Sequence, residues 1–315
     1  MPQSEVRVTI GDRHLTLTNL HKVLYPATGF TKAEVVQYYL DVAPVILPHL
    51  AGRCLTRIRF PNGVGRPSFY EKNLPSGAPA WLGRQQVSAS DGPITYVTVA
   101  HPEDLVLLAN LASLELHAPQ WRIDNTRKGA DGAVLMDGED EPRATTLMID
   151  LDPGEGVTMV ESARSAILAA TSLASLGLIP YVKTTGSKGL QISAAIAPTP
   201  CERVTEWVRA FGQSMVADHP DRFVVTMAKD QRVGRIYLDY LQNKAARNTV
   251  VAYSLRARER PSVAMPVTWD EVADVTSPDD LRFTPAQALE RVAAHGDLFA
   301  DLLTGDGPEL PPVVR

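Results

Sequence analysis

Cysteine is almost absent from this 315-residue sequence, with Cys54 and Cys201 the only two. They fall in no CxxC or Cys/His spacing, which argues against a disulfide framework or a cysteine-based zinc site. No apolar run reaches the roughly 20 residues that span a bilayer, and the opening MPQSEVRVTI has no signal-peptide pattern. The expected compartment is the cytoplasm. Fixed-period repeats and low-complexity tracts are missing too. What remains is the composition of an ordinary globular protein, 44% hydrophobic and 21% charged, long enough for one large domain or two small ones.

A basic total charge is also lacking. The formal net charge of −5 is unlike that of a nucleic-acid binder, but it is unevenly spread. Residues 181–260 hold 13 Lys/Arg against 7 Asp/Glu, whereas residues 261–315 hold 3 against 10. A basic stretch followed by an acidic one is compatible with local contact to phosphates.

Periodicity places the elements. TNLHKVLYPATGFTKAEVVQYYL gives a turn at Pro26–Gly29 and a helix starting after Thr31, with Val35, Val36, Tyr39 and Val42 near helical spacing. Strands are expected at Cys54–Phe60 and Ile94–Val99, and HPEDLVLLANLASLELHAPQW reads as a helix running into a strand that carries His117. Thr158 and Glu161 form a capping-box pattern that starts a helix ending at Gly177. Strand Pro180–Thr185, turn Gly186–Gly189, strand Leu190–Ala197, helix Glu202–Ala217 and strands Arg222–Met227 and Arg235–Leu241 follow, then a helical coda. Strands interleaved with two helices imply a sheet with helices on one face.

The most informative stretch is TTLMIDLDPGEG, Thr145 to Gly156. In an extended strand, Asp150 and Asp152 point to the same side, about 6.6 Å apart at Cα, and Pro153-Gly154 ends the strand there. Such a pair can converge on a cation, and an oxygen-only donor set favours Mg2+ or Mn2+. The competing reading is an acidic turn at a strand end. An EF-hand loop is disfavoured because Glu155 stands where that loop needs glycine. In KTTGSKGLQIS, glycines 186 and 189 flank Lys188 in a tight connection whose N–H groups and ammonium suit phosphates. An ordinary hairpin turn explains the same residues. In RVGRIYLDYLQN, Asp239 sits in an apolar run, a poor place for a carboxylate unless it is paired or metal-bound. Arg256 in YSLRAR carries a guanidinium suited to phosphate.

In this order, these segments resemble the polymerase domain of bacterial ligase D, a branch of the archaeo-eukaryotic primase superfamily. PHLAGRCLTRIRFPNGV, PSFYEKNLPSGAP, LELHAPQW, MIDLDP, TTGSKGL, IYLDYLQN and YSLRARERPSV carry the likeness. It implies an α+β, two-layer primase-polymerase fold with an RRM-like catalytic sheet packed against an N-terminal α/β subdomain. Residues 1–300 would form a single domain of two closely packed lobes, and residues 301–315 a C-terminal tail. The implied activity is template-dependent, metal-dependent nucleotidyl transfer at short gaps or DNA ends, by a stand-alone repair polymerase using ribo- or deoxyribonucleotides with Mn2+ or Mg2+. The implied setting is the bacterial nucleoid, with gapped or broken DNA bearing a 5′-phosphate, and a separate DNA ligase and an end-binding protein as partners.

By position, the resemblance makes Asp150, Asp152 and Asp239 the metal-binding catalytic triad. It sets His117, Thr185, Lys188, Gln191, Arg232, Arg256 and Arg59 around the triphosphate and Phe69 and Tyr70 at the base. Lys22 and Lys32 fall at the DNA 5′-phosphate. Plainer roles stay open: Phe69 and Tyr70 as core, Lys22 and Lys32 as solvated charges, His117 as a structural histidine. The sequence departs from the family at Thr185, which keeps the hydroxyl of the usual serine, and at Gln191, where the family has histidine. Ile58 stands where a KRWP-like stretch has lysine. Losing up to two cations puts catalytic strength in doubt and opens a second reading, a DNA-end or gap-binding module with weak or lost activity. A ligase reading fails, because Lys128-Gly129-Ala130-Asp131-Gly132 has one residue too many for KxDG.

Overall fold

The computed structural model describes residues 5–89 and 92–312. After an N-terminal hairpin, Glu5–Ile10 and Arg13–Thr18, helix α1 spans Lys32–Asp41. It starts where expected because Thr31 and Glu34 cap it reciprocally, each side chain accepting from the other's backbone N–H. A short helix α2, Ala43–Leu50, follows directly and was not legible in the sequence. Strands β1 (Thr56–Arg59), β2 (Phe69–Glu71) and, after helix α3 (Pro102–Asn110), β3 (Ser113–Ala118) build the N-terminal lobe.

The second lobe opens with the long strand β4, Arg143–Pro153, then helix α4, Met159–Ser175. Strands β5 (Tyr181–Thr184) and β6 (Leu190–Pro200) lead to helix α5, Cys201–Asp218. Strands β7 (Phe223–Val224), β8 (Ile236–Asp239), β9 (Thr249–Val250) and β10 (Pro266–Val267) follow. The strand expected at Arg222–Met227 is only two residues long, and the one at Arg235–Leu241 turns into a 3-10 helix at Tyr240, where Asp239 accepts from Leu241 N and caps it.

Six strands form the main sheet in the order β7-β8-β4-β6-β5-β10, and four form a smaller one, β9-β3-β1-β2. In β4, Leu147, Ile149 and Leu151 are fully buried. With Ile192 and Ala194 of β6 they make the face covered by α4 and α5. In α4 the buried positions are chiefly small, Ala163, Ala166, Ala169 and Ala170, while Ile167 and Leu168 are half-buried. Small side chains let the helix lie close to the sheet.

The alternate residues Thr146, Met148 and Asp150 look the other way, toward the smaller sheet. β9 belongs to that sheet although it follows β8 in the chain, so one segment ties the lobes together. Residues 301–312, read from the sequence as a tail, lie against the main sheet and α5. Ala197 N donates to Pro308 O at 2.8 Å, Trp207 Nε1 donates to Pro311 O at 2.6 Å, and Leu302 and Leu310 are buried. Residues 313–315 of that tail lie outside the described residues.

Candidate active site

Asp150 and Asp152 stand at the carboxyl end of β4, and the register sets Asp239 of β8 directly opposite Asp150. Each of the three offers a carboxylate oxygen within 4.8 Å of the others. Asp239 is held by Tyr237 Oη at 3.2 Å, Leu241 N at 3.0 Å and Gln242 Nε2 at 2.8 Å, so its orientation is fixed. Asp150 is buried, and its Oδ1 has no hydrogen-bond partner. Burial, and then the Asp152 charge, push the Asp150 carboxyl up to about 7. Burial and Asp239 raise Asp152. A buried carboxylate oxygen without a partner, beside two further carboxylates, fits a divalent cation of the Mg2+ or Mn2+ class.

Glycine answers why β4 ends on Pro153-Gly154. The backbone of residues 232–235 passes so close that a Cβ on Gly154 would lie 1.8 Å from Arg232 O. That approach brings Arg232 to the rim, where its guanidinium sits 3.7 Å over the Tyr237 ring, its Nε donates to Thr226 O at 3.2 Å, and its charge favours ionised Asp152.

Asp150 and Asp152 border a cavity of about 430 Å3, whose lining includes His117, Thr185, Lys188, Gln191, Arg232 and Arg256. The turn after β5 supplies its cationic wall. Gly186 has φ +65°, and a Cβ there would meet Arg256 Cγ at 2.7 Å, so only glycine lets the turn lie against that arginine. Arg256 Nη1 donates to Thr185 O at 2.6 Å, and Thr185 Oγ1 accepts from Gly189 N at 3.2 Å. Lys188 is exposed at the tip.

Glu115 of β3 is a site residue the sequence reading missed. Its Oε2 lies 3.0 Å from His117 Nε2 and 3.2 Å from Arg256 Nε, and its Oε1 accepts from Ala257 N at 2.9 Å. Burial alone would raise its carboxyl, but the His117 hydrogen bond and the Arg256 charge outweigh that and hold it down at about 2. His117 itself is pushed below its ordinary value by burial, against the pull of Glu115. The signal was present in the sequence as a carboxylate inside the apolar run SLELHA. Arg258, also in the cavity wall, follows Arg256 by two residues in RAR.

Other expected residues lie outside this cavity. Arg59 is on the opposite side of β1 from Ile58, and Glu71 bridges it to the fully buried Arg57 at 2.7 Å each. Its Nε donates to Leu111 O at 2.6 Å. Arg59 is not among the residues lining the cavity; on its strand it is turned from Ile58 toward Lys22 and Lys32. Lys32 is buried, donates to Thr18 O at 2.6 Å, and is lowered to about 8 by burial and then by the Lys22 and Arg59 charges. Lys22 donates to Asn62 Oδ1 at 3.3 Å. The three cations form a separate basic cluster on the N-terminal lobe. Phe69 and Tyr70 are both exposed on β2, not core, and Tyr70 pairs with Ile58 while Phe69 pairs with Arg59. Consecutive strand residues face opposite sides, so only Tyr70 shares the side of Ile58, Glu115 and His117.

An acidic, oxygen-donor centre on two inner strands of the main sheet, opposed by a cationic glycine turn, is a site that could bind a metal ion. The family model for the LigD primase-polymerase domain matches residues 31–299, and the chain belongs to that family. It is similar to the multifunctional non-homologous end joining protein LigD of Mycolicibacterium smegmatis, at 44% identity over 289 residues, 91% of this chain and 36% of that protein. Likeness to the LigD of Mycobacterium tuberculosis is 40% over 306 residues, 96% of this chain and 39% of that one. The chain thus spans little more than a third of the length of these curated relatives. Among solved structures, the polymerase domain of Mycobacterium tuberculosis ligase D in complex with DNA superposes with a TM-score of 0.84 at 39% identity, covering 93% of this chain and 99% of that one. The mixed helix-and-sheet architecture expected from the sequence is that of this family.

Proposed function

We propose that this chain is a template-dependent repair polymerase, a nucleotidyltransferase that adds ribo- or deoxyribonucleotides at short gaps or broken ends of DNA. The observation that carries the reading is the carboxylate triad, with its partnerless Asp150 oxygen, facing a cavity walled by His117, Lys188, Arg232 and Arg256. Asp150, Asp152 and Asp239 would hold Mn2+ or Mg2+, which supplies Lewis-acid stabilisation of the attacking and leaving oxygens when bound. The chain's own part is positioning and charge. Lys188, Arg256 and the Gly186–Gly189 turn bind the phosphates, Thr185 fixes the turn, and Glu115 aims Arg256 and His117. Tyr70 offers an exposed ring for base stacking on the side of His117. Lys22, Lys32 and Arg59 form a second anionic site, suited to the 5′-phosphate of gapped DNA. The non-homologous end joining proteins named above support a setting in DNA end repair; the compartment this reading implies is the bacterial cytoplasm at the nucleoid, with ligation and end binding acting on the same break.

The test is extension of a primer across a short gap with Mn2+ and, separately, Mg2+. The wild type should extend, and the Asp150→Ala, Asp152→Ala double variant should lose extension by at least about 10³-fold, the loss when catalytic groups acting as a unit are removed. Equal extension by the double variant would sink the mechanism. Binding of 5′-phosphorylated gapped DNA without extension in any metal would favour the end-binding module that Ile58 and Gln191 leave open.

A further inference from the structure

Four polar residues cross the main sheet in one row. The register sets Asp239 opposite Asp150, Asp150 opposite Gln191, and Gln191 opposite Lys183. Residues directly opposite share a face, so the row reads carboxylate, carboxylate, carboxamide, ammonium on the side that looks into the site. Neighbouring strands lie about 4.8 Å apart, which places the Lys183 backbone two strands, or roughly 10 Å, from that of Asp150.

Lys183 and Gln191 are 5% and 4% exposed. Lys183 Nζ donates to Gln191 Oε1, and no carboxylate among the described residues lies within ion-pair distance of that ammonium. A buried ammonium with a neutral partner is costly unless negative charge nearby compensates it. Burial lowers Lys183 to about 7, and the attraction of Asp150 acts against that loss of charge, so the compensating charge here is the triad. Because an ammonium only donates, it also fixes the Gln191 amide, taking the oxygen and leaving the NH2 end for Asp150. Gln191 is therefore tied to the sheet rather than free to serve a phosphate in place of the family's histidine.

We propose that Lys183 is a positioning residue that serves as the built-in counter-cation of the triad. It keeps affinity for a free divalent cation low, so that the metal is taken up together with the nucleotide's triphosphate. The proposal rests on the polymerase reading above. A dication among the aspartates is opposed by Lys183 twice as strongly as a single positive charge at the same point. The negative charge of an incoming triphosphate offsets that opposition.

The experiment is Mn2+ binding to the full chain without DNA or nucleotide, read from the electron paramagnetic resonance signal of free Mn2+, with folding checked by circular dichroism and melting. Lys183→Met should bind Mn2+ about tenfold more tightly than wild type, a modest share of the coupling between charges at this separation, and Lys183→Arg should match wild type. In steady-state extension, the wild type's Mn2+ requirement should fall as nucleotide rises, and that dependence should flatten in Lys183→Met. A folded Lys183→Met that binds Mn2+ no more tightly than wild type overturns the proposal. Should Lys183→Met not fold, Lys183→Gln decides, because its amide still donates to Gln191 without the charge: tighter Mn2+ binding supports the proposal and unchanged binding overturns it. Extension by wild type alongside any such negative result leaves the polymerase reading standing. Absence of both Mn2+ binding and extension in wild type removes that reading and this one together.

Discussion

Glu115 shows how a single buried carboxylate organises the cationic side of the site. It receives His117, Arg256 and the Ala257 N–H, and these outweigh its burial. Its folded value of about 2 lies below the ordinary 4.5, so its stabilisation is present in full above pH 4.5 and is lost as pH falls toward 2. Glu115→Gln should flatten the acid limb of a stability–pH curve between those values by on the order of 3 kcal/mol, measured by urea unfolding at stepped pH. The residue was overlooked in the sequence because a lone glutamate in SLELHA has no partner within the strand except His117. Arg256 arrives from far along the chain.

At the scale of elements, strand alternation separates residues that the sequence groups together. Asp150 and Asp152, two apart, share a side. Phe69 and Tyr70, one apart, do not, although both are expected at the base. Tyr70→Ala should raise the nucleotide KM about tenfold, in line with the loss of one base-stacking contact, while Phe69→Ala leaves it within about twofold. Steady-state kinetics on a one-nucleotide gap would check this. The same alternation turns Arg59 from the side of Ile58, and it is not in the lining of the cavity. Helix starts were legible, since Thr31 with Glu34 and Thr158 with Glu161 each carry their own cap within four residues. α2 was not, because its eight residues include Pro44 and Pro48, which suggest breaks and not a helix.

At the scale of the whole molecule, the two lobes are fastened around the cavity by contacts distant in sequence. His49 of α2 lies 2.8 Å from Asp297, which also accepts from Tyr253 Oη at 2.7 Å, so one carboxylate joins the N-terminal lobe to the C-terminal segment. Asp297→Ala leaves a buried histidine and tyrosine without that partner, and should lower stability by about 3 kcal/mol in thermal or urea unfolding. The sequence by itself determined the helix starts, the glycine turn and the shared side of Asp150 and Asp152, because each depends on residues a few positions apart. Only the tertiary structure decided that Asp239 stands opposite Asp150, that Lys183 closes the row through Gln191, and that Glu115 anchors Arg256. Those relations are registers and contacts between residues up to 141 positions apart, set by which faces pack together and not by any local pattern.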